Sequence, residues 1–337
     1  MNGRRLPPLA ISMGEPAGIG PDLLLRLYAD RLANELPPFV VFGQREFLRA
    51  RAARLNLDID IRPAFPSEAA EMFAASLPVV EIDGLVPDTP GEPTPVSAQV
   101  VTGAIAEAVR ATLTGVSRGL VTAPIHKAVL YSSGFKYPGH TEYLAALCAE
   151  GGSPHLPVMM LAHENLRAVP LTIHVPLAQV PALITTELLT ATARTLAHDL
   201  RTRFAIAEPK IGVAGLNPHA GENGGIGMEE LDIIAPAIAG LAFEGLDITG
   251  PFPADTLFFL PNWRKYDAVI AMYHDQALIP IKTVAFEEAV NVTLGLPIVR
   301  TSPDHGTAFD IAGTGKGSTA SFLAAIRLAD RLTAGST

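Results

Sequence analysis

The sequence predicts an α/β protein made of two α/β/α lobes, each with a mostly parallel sheet, and an active-site cleft between the lobes. Two observations predict this class. Short β-rich runs alternate with longer helical patterns along the chain, as in sheets covered by helices. The length of 337 residues exceeds one ordinary domain, and a hydrophobic content of 48% supplies apolar surface for a large core.

Strands are predicted where short apolar runs are bounded by turn residues. These runs are residues 9–12, 39–42, 78–82, 119–122, 158–162, 168–173, 210–216, 268–272 and 291–294. Helices are predicted where apolar residues recur at helical spacing, over residues 22–32, 46–55, 96–114, 141–149, 185–204, 229–243 and 318–332. Only a short polar segment separates 158–162 from 168–173, which indicates an antiparallel hairpin.

Composition excludes several classes of partner. The net charge is −9 and no basic block is present, so nucleic acid and anionic membranes are unsuitable partners. No apolar run approaches the ~20 residues of a spanning helix, and the N-terminal residues lack the apolar stretch of a signal peptide. The single cysteine, Cys148, cannot form an internal disulfide and suits a reducing compartment. We therefore expect a cytoplasmic protein.

Three apolar, strand-like runs end at or just before a histidine: His174, His219 and His274. Ligands bind at the carboxyl ends of strands in open α/β sheets. Three neutral imidazoles are a common metal-binding set and leave a coordination position open for substrate or water. Glu222 and Asp275 lie close in sequence to the second and third histidines and could orient their rings. The alternative is that each histidine merely caps its strand.

Two further segments point to an anionic ligand. Residues 134–142 run into a predicted helix, where Thr141 suits the N-cap position and His140 could bond a phosphate. Capping alone is the alternative. Lys282, Asn291 and Arg300 lie along a largely apolar stretch, so these polar groups are either paired structurally or directed at an anionic substrate.

Residues 302–313 are rich in glycine and small residues between Asp304 and Asp310, which allows the backbone to approach a ligand closely. The first glycine-rich turn, residues 13–22, does not match the dinucleotide fingerprint. The glycine spacing of residues 313–318 is wrong for a phosphate loop.

Together these segments resemble a known family. MGEPAGIGP, PGHTEYL, GLNPHAGE, YHDQALIPIK, NVTLGLP and RTSPDHGTAFDIAGTGK are similar, in this order, to the motifs of the 4-hydroxythreonine-4-phosphate dehydrogenases of vitamin B6 synthesis. The resemblance runs from about Leu9 to Arg331. HGTAFDIAG also resembles the adenine-binding loop of isopropylmalate dehydrogenase, a more distant relative with the same two-lobed architecture. The chain departs from the family at Glu15, where relatives usually carry aspartate, and at His126, a variable position.

The resemblance implies a set of site residues. It places a divalent metal on His174, His219 and His274, contributed across a homodimer interface. It places substrate contacts on His140, Thr141, Lys282, Asn291 and Arg300, and, by analogy with the adenine loop, cofactor contacts on His305, Gly306 and Asp310. Residues 1–135 plus 296–337 would form the cofactor-side lobe, and 136–295 the lobe for substrate, metal and dimerisation.

The implied reaction is NAD- or NADP-dependent oxidation of 4-phosphooxy-L-threonine at C3, followed by decarboxylation to 3-amino-2-oxopropyl phosphate. An all-nitrogen ligand set favours zinc or cobalt over magnesium, although substrate and water oxygens weaken this preference. Lys282, Asp275 and Asp255 are all candidates to remove the alcohol proton. Close relatives oxidise other hydroxy acids, a sugar-acid phosphate or a dihydrodiol dicarboxylate, and a metal-dependent lyase or hydrolase without NAD is the alternative class.

Overall fold

The computed structural model describes residues 6–149, 152 and 156–335. The chain divides into two compact units, Met1–His155 with Leu296–Thr337, and Leu156–Gly295. The boundary between residues 295 and 296 is the one expected from the sequence. The other boundary lies between residues 155 and 156, whereas the sequence division placed it between 135 and 136. Residues 136–149 belong to the first unit because their helix packs against helix 98–113, where the Tyr143 hydroxyl donates to the carbonyl of Thr102 at 3.2 Å.

Strands and helices alternate along most of the chain. The strands are β1 (Leu9–Ser12), β2 (Phe39–Gly43), β3 (Ile61–Pro63), β4 (Leu77–Glu81), β5 (Leu120–Thr122), β6 (Val158–His163), β7 (Leu166–Thr172), β8 (Lys210–Ala214), β9 (Asp247–Phe252), β10 (Ala268–Tyr273), β11 (Val290–Leu294) and β12 (Arg300–Pro303). The helices are α1 (Gly20–Ala29), α2 (Arg45–Arg54), α3 (Pro66–Met72), α4 (Ala98–Leu113), α5 (Lys127–Ser132), α6 (His140–Cys148), α7 (Val180–Leu183), α8 (Thr186–Thr202), α9 (Ala235–Phe243), α10 (Ala254–Leu257), α11 (Leu260–Trp263), α12 (His274–Ala285) and α13 (Ala320–Ala334).

The first unit contains a parallel sheet in the order β3-β4-β2-β1-β5-β12. Strands β1 and β2 are buried along their whole length, as expected for strands that helices cover on both faces. Helix α4 packs against β1 and β2, and α13 packs against β12. The carboxyl ends of these strands therefore lie at one edge, where the loops after β1, β5 and β12 begin.

The second unit contains the strand order β11-β6-β7-β10-β8-β9. Strands β6 and β7 form the predicted antiparallel hairpin, and β7, β10, β8 and β9 are parallel to one another. Helix α12 packs against β7 and β10 over a core that includes Trp263, Ile281 and Leu278. The parallel arrangement puts the carboxyl ends of β7, β10 and β8 next to each other.

The structure confirms the α/β class with a mostly parallel sheet, and each predicted strand and helix is present within a few residues of its expected bounds. Strands β3, β9 and β12 were not predicted, because β3 and β12 are short and β9 contains the turn residues Gly250 and Pro251. Helix α12 was not predicted because Pro280 interrupts its pattern. The short helices α3, α5, α7, α10 and α11 were not predicted either, because four to seven residues are too few to show helical periodicity. Among the described residues, none of the helices has the length and apolar character required to span a bilayer.

Candidate active site

Two of the three predicted metal ligands lie together in the second unit. Strands β7 and β10 are parallel neighbours, with Tyr273 in register with Thr172. His174 follows the end of β7, and His274 follows β10 directly as the first residue of α12. The centroids of the two imidazole rings are 5.6 Å apart, with 45° between the ring planes. The register of two neighbouring strands thus produces a histidine pair.

A carboxylate orients the ring of His274. Nδ1 of His274 lies 2.7 Å from Oδ1 of Asp275. An imidazole that donates its Nδ1–H to a carboxylate keeps the Nε2 lone pair as an acceptor, which is the form that binds a metal ion. The side chain of Asp275 is 70% exposed, so it is also accessible to a substrate.

The third histidine, His219, lies in a left-handed turn. The φ angles of residues 219–223 all lie between 44° and 79°. This conformation costs about 1–2 kcal/mol for each residue other than glycine, so the turn depends on its surroundings. Gly221 adopts the left-handed conformation without this free-energy cost, because it has no Cβ. A Cβ built at this position would lie 2.6 Å from Oε2 of Glu230. His219 itself is exposed.

Two carboxylates hold this turn through Asn217. Oε1 of the buried Glu230 accepts a hydrogen bond from the backbone N–H of Asn217 at 2.7 Å. The side-chain amide of Asn217 donates to Oε2 of Glu230 at 2.9 Å and to Oε2 of Glu229 at 2.7 Å. The pKa of Glu229 is lowered first by its own backbone N–H and then by the bond from Asn217. Two acids ten and eleven positions further along the chain thus hold Asn217, at the start of the turn that carries His219.

The described residues of one chain do not gather the three histidines at one point. Nowhere in that part of the chain do three histidine, cysteine, aspartate or glutamate side chains form a group able to hold a metal ion. His174 and His274 form a pair, and His219 lies on the turn after β8. Glu222, the acid predicted to orient His219, is exposed in the same left-handed turn.

The other candidates of the second unit lie on α12, β11 and α10. Lys282 and Asp275 are seven positions apart in α12 and therefore share a helix face. Nζ of Lys282 lies 5.9 Å from the ring centroid of Phe286. Oδ1 of Asn291 is buried and has no hydrogen-bond partner among the described residues, so it could accept a bond from a ligand. Asp255 is exposed in the first turn of α10.

The first unit carries a candidate anion site at the start of α6. The helix begins at His140, and Gly139 occupies the N-cap position without a side-chain cap. Thr141 is the second residue of the helix, so its predicted capping role is wrong: Gly139, not Thr141, adopts the extended backbone of a cap. Backbone N–H groups of a first helical turn have no partner within the helix and attract anions.

Two cations accompany this helix start. A Cβ built on Gly139 would lie 3.1 Å from Nζ of Lys127, which places this ammonium beside the cap. Arg300 is buried, and its Nε and Nη2 donate to Oγ1 of Thr122 at 3.1 and 2.7 Å. Burial lowers the pKa of Arg300 to about 10, so the guanidinium remains charged at neutral pH. The carboxylate of Glu142, in the first turn of α6, lies at the same place, with its Oε2 2.8 Å from that Cβ position. The helix start is therefore accompanied by two cations and one carboxylate.

The imidazole of His140 is neutral in this setting. Burial, and then the positive charges of Arg300 and Lys127, lower the pKa of His140 well below its usual value. Nε2 of His140 is buried and has no hydrogen-bond partner among the described residues. A buried polar atom without a partner costs free energy unless a ligand or water bonds to it. This atom, the helix start and the two cations together fit an anionic oxygen group.

The residues predicted to contact a cofactor follow β12. Nδ1 of His305 donates to the carbonyl of Gly306 at 2.9 Å, and its Nε2 is buried without a partner in the described chain. Gly306 and Asp310 are exposed. Nδ1 of His126 is likewise buried and unpartnered, and its ring meets Phe309 edge-on at 4.9 Å. These nitrogens fit a ligand that carries hydrogen-bonding groups.

Sequence reasoning missed three residues of this region. Lys127 is the first residue of α5, and its place in the short connection from β5 to this helix was the available signal. Glu230 is an acid within a run predicted as helical, and no local pattern marks its burial. Gln276 accepts from the backbone of Met272 at 2.7 Å and donates to that of Gly215 at 2.9 Å, and so fixes the start of α12.

Comparisons with known proteins agree over nearly the whole chain. Residues 35–329 match the family described as Pyridoxal phosphate biosynthetic protein PdxA. The chain is 52% identical to a 4-hydroxythreonine-4-phosphate dehydrogenase of Methylorubrum populi, over 96% of this chain and 94% of that relative. A crystal structure of such a dehydrogenase from Klebsiella pneumoniae is similar with a TM-score of 0.85 and 36% identity, over 97% of this chain and 99% of that one. A terephthalate 1,2-cis-dihydrodiol dehydrogenase of Burkholderia xenovorans has a TM-score of 0.65 and 30% identity, over 97% and 98% of the two chains.

Proposed function

This chain belongs to the PdxA family of pyridoxal phosphate biosynthetic proteins, and on that basis we propose that it is a 4-hydroxythreonine-4-phosphate dehydrogenase of vitamin B6 synthesis. The observation that carries this proposal is the 52% identity to a relative of that name over 96% of the chain. The anion site at the start of α6 supports it, because the substrate of such an enzyme bears a phosphate.

The proposed substrate is 4-phosphooxy-L-threonine. Its C3 hydroxyl loses a proton to a base and C3 loses a hydride, which gives a β-keto acid. The C–C bond to the carboxylate then breaks, carbon dioxide leaves, and the remaining carbanion takes up a proton to give 3-amino-2-oxopropyl phosphate.

The first unit supplies groups for the anionic parts of this substrate. Backbone N–H groups at the start of α6, with His140 and Thr141, would bond the phosphate oxygens. Lys127 and Arg300 add positive charge, and the neutral imidazole of His140 can donate one hydrogen bond. In the second unit, Lys282 and Asn291 would bind the carboxylate and neighbouring polar groups.

A divalent cation would be held by His174, His219 and His274. Neutral imidazoles suit zinc or cobalt better than magnesium, which prefers oxygen ligands. When bound, such a cation lowers the pKa of a ligated hydroxyl and stabilises a developing enolate. Asp275 keeps the His274 ring in the metal-binding tautomer. Because one chain does not bring the three rings together within its described residues, the proposal requires a second copy to complete the set.

A homodimer would supply that second copy. Several large apolar side chains of the second unit are exposed, as an uncovered interface would be: Leu177, Leu231, Phe243, Phe259, Ile279 and Phe286. We place the protein in the cytoplasm, where its single cysteine stays reduced.

The candidates for the base are Lys282, Asp275 and Asp255. Asp275 and Lys282 share a face of α12, and Asp275 is both exposed and hydrogen-bonded to a predicted metal ligand. We therefore favour this face as the place where the hydroxyl proton leaves.

NAD or NADP would be held by the loop after β12, with His305, Gly306 and Asp310 in contact. The buried, unpartnered Nε2 of His305 supports this assignment. When bound, the nicotinamide ring supplies the acceptor for the hydride.

A second candidate is oxidation of a cyclic dihydrodiol dicarboxylate, which the 30% identical structure of that name favours. The two candidates differ in the anion that the site must bind. A phosphate suits the helix start with its cations, and a dicarboxylate without phosphate would leave these donors unmatched.

The test is a panel of hydroxy acids assayed with NAD and NADP. We expect turnover of 4-phosphooxy-L-threonine, followed by reduced nicotinamide absorbance and by release of carbon dioxide. 4-Hydroxy-L-threonine, which lacks only the phosphate, is the matched control and should be a far poorer substrate. Turnover of the dihydrodiol dicarboxylate alone would establish the second candidate and reject the first.

A further inference from the structure

The side chain of Arg51 on α2 is fully buried and contacts several loops of the first unit. Its exposed fraction is 0%. Nη2 donates to the carbonyl of Pro16 at 2.7 Å, and Nη1 donates to that of Gly18 at 3.2 Å, both in the turn after β1. Nε donates to Oδ1 of Asp88 at 2.7 Å. A single guanidinium thus joins α2 to the first turn and to the loop before α4.

Asp22 extends this network to the loop after β12. Its Oδ1 accepts from Nη1 of Arg51 at 2.5 Å, and its Oδ2 accepts from the backbone N–H of Gly313 at 2.6 Å. Asp22 is 1% exposed. Both oxygens of one buried carboxylate therefore connect the guanidinium to this loop.

The loop after β12 is also held at Thr307, and Pro90 packs against it at Gly313. The backbone N–H of Ile19 donates to the carbonyl of Thr307 at 2.8 Å. Gly313 has a φ of +74°, and a Cβ there would lie 2.6 Å from Cγ of Pro90. The segment between Thr307 and Gly313 is thus held at both ends, and it contains Asp310 and follows His305.

A buried ion pair is a poor source of stability, because desolvation of the two charges offsets much of their attraction. The guanidinium of arginine, however, carries five N–H donors in fixed directions, so a buried arginine can fix the backbone segments that accept from it. Here every identified acceptor of Arg51 belongs to the turn after β1, to the loop before α4 or to α1. These segments meet the loop that carries the proposed cofactor contacts.

We propose that Arg51 and Asp22 are positioning residues for the nicotinamide cofactor, holding the loop after β12 in its binding conformation before the cofactor arrives. This inference rests on the proposed function, because it assumes that this loop binds NAD or NADP. Both side chains are buried, so they would act through the backbone of residues 307–313 and not by direct contact with the cofactor.

The test uses two variants of the full-length protein and one matched control. Asp22→Asn keeps the size of the side chain but leaves one acceptor oxygen for two donors, Nη1 of Arg51 and the backbone N–H of Gly313. Arg51→Lys keeps the positive charge but replaces the planar guanidinium, with its several N–H donors, by a single ammonium group. Arg49→Lys is the control, since Arg49 lies on the same helix but bonds Glu46 and the carbonyl of Ile61 instead. Dissociation constants for NAD and NADP are measured by calorimetry, and amide hydrogen exchange is measured without cofactor.

Both variants should weaken cofactor binding by about tenfold, because a loop that is not held beforehand must be ordered when the cofactor binds. Their KM for the hydroxy-acid substrate should change little, exchange over 307–313 should accelerate, and Arg49→Lys should match the wild type. Unchanged cofactor affinity in both variants would overturn the positioning role alone. Absence of nicotinamide binding by the wild type would instead overturn the proposed function, and the positioning role with it.

Exchange in the wild type provides a measurement that does not depend on how the variants fold. A loop that is held before the cofactor arrives should show a slowly exchanging amide at Gly313 in the cofactor-free enzyme. Fast exchange at that amide would contradict the inference.

Discussion

The imidazole rings of His174 and His274 lie with their centroids 5.6 Å apart, although a hundred positions separate them in sequence. They meet because β7 and β10 are parallel neighbours in register, so that the residues after the two strands emerge side by side. Asp275 then fixes the ring of His274 through Nδ1. This pair is the part of the proposed metal site that one chain brings together.

Asp275→Asn should weaken metal binding. The variant keeps the size of the side chain but removes the negative charge that holds the His274 tautomer, a change that costs about 10–100-fold in affinity at comparable sites. Competition titration against a chelator of known affinity measures the change. Asp247→Asn, which alters an acid at the start of β9, is the control, and equal affinities in both variants would contradict the orienting role.

His219→Ala should abolish turnover while leaving the fold nearly intact, because His219 is exposed and its loss leaves no cavity. Turnover, metal content and the thermal midpoint are measured together. His198→Ala, an exposed histidine of α8, should retain full activity. Retained activity of His219→Ala in metal-stripped buffer would count against the metal mechanism.

Mixing inactive variants tests whether the metal site is shared between copies. If His219 comes from a second copy, mixed dimers of His219→Ala and His274→Ala contain one intact site, and about a quarter of wild-type activity should return on subunit exchange. His174→Ala mixed with His274→Ala should not recover, since these two rings are paired within one chain. Recovery in the second mixture but not in the first would show that the two copies share the three histidines in a different way.

The low pKa of His140 predicts a stability loss in acid. The unfolded imidazole takes up a proton near about pH 6.5, whereas the folded one, buried and close to Arg300 and Lys127, stays neutral. Stability should therefore fall below that pH by up to about 1.4 kcal/mol per pH unit for this group. His140→Gln should reduce the fall, as urea unfolding above and below about pH 6.5 can measure. An identical pH dependence in both proteins would refute this origin.

Glu230→Gln should destabilise the turn that carries His219. The new amide would face the donors of Asn217, and a buried unsatisfied group costs about 1–3 kcal/mol. Urea unfolding and metal affinity are the measurements. Glu229→Gln is the matched control, because Glu229 is only half-buried and accepts one bond from Asn217, so its loss should matter less. Equal effects of both changes would show that burial is not the cause.

Much of the fold follows from local pattern. Apolar runs such as 39–42 and 268–272 became strands, and the amphipathic segment 185–204 became α8, because periodicity and turn residues report directly on local structure. Helix α12 did not follow, since Pro280 removes the usual signal, and the helix packs against β7, β10 and β6. Thr141 shows the same limit at a helix end, where the backbone of Gly139 took the cap.

The sequence alone determined the α/β class, the placement of three histidines after strands, and the motifs that mark the family. The tertiary structure decided that His174 pairs with His274 while His219 stands apart, that Lys127 lies beside the start of α6, and that Arg51 and Asp22 reach the loop after β12. These facts depend on strand order and register, which arise from packing between distant segments. Local periodicity carries no information about which distant segments will meet.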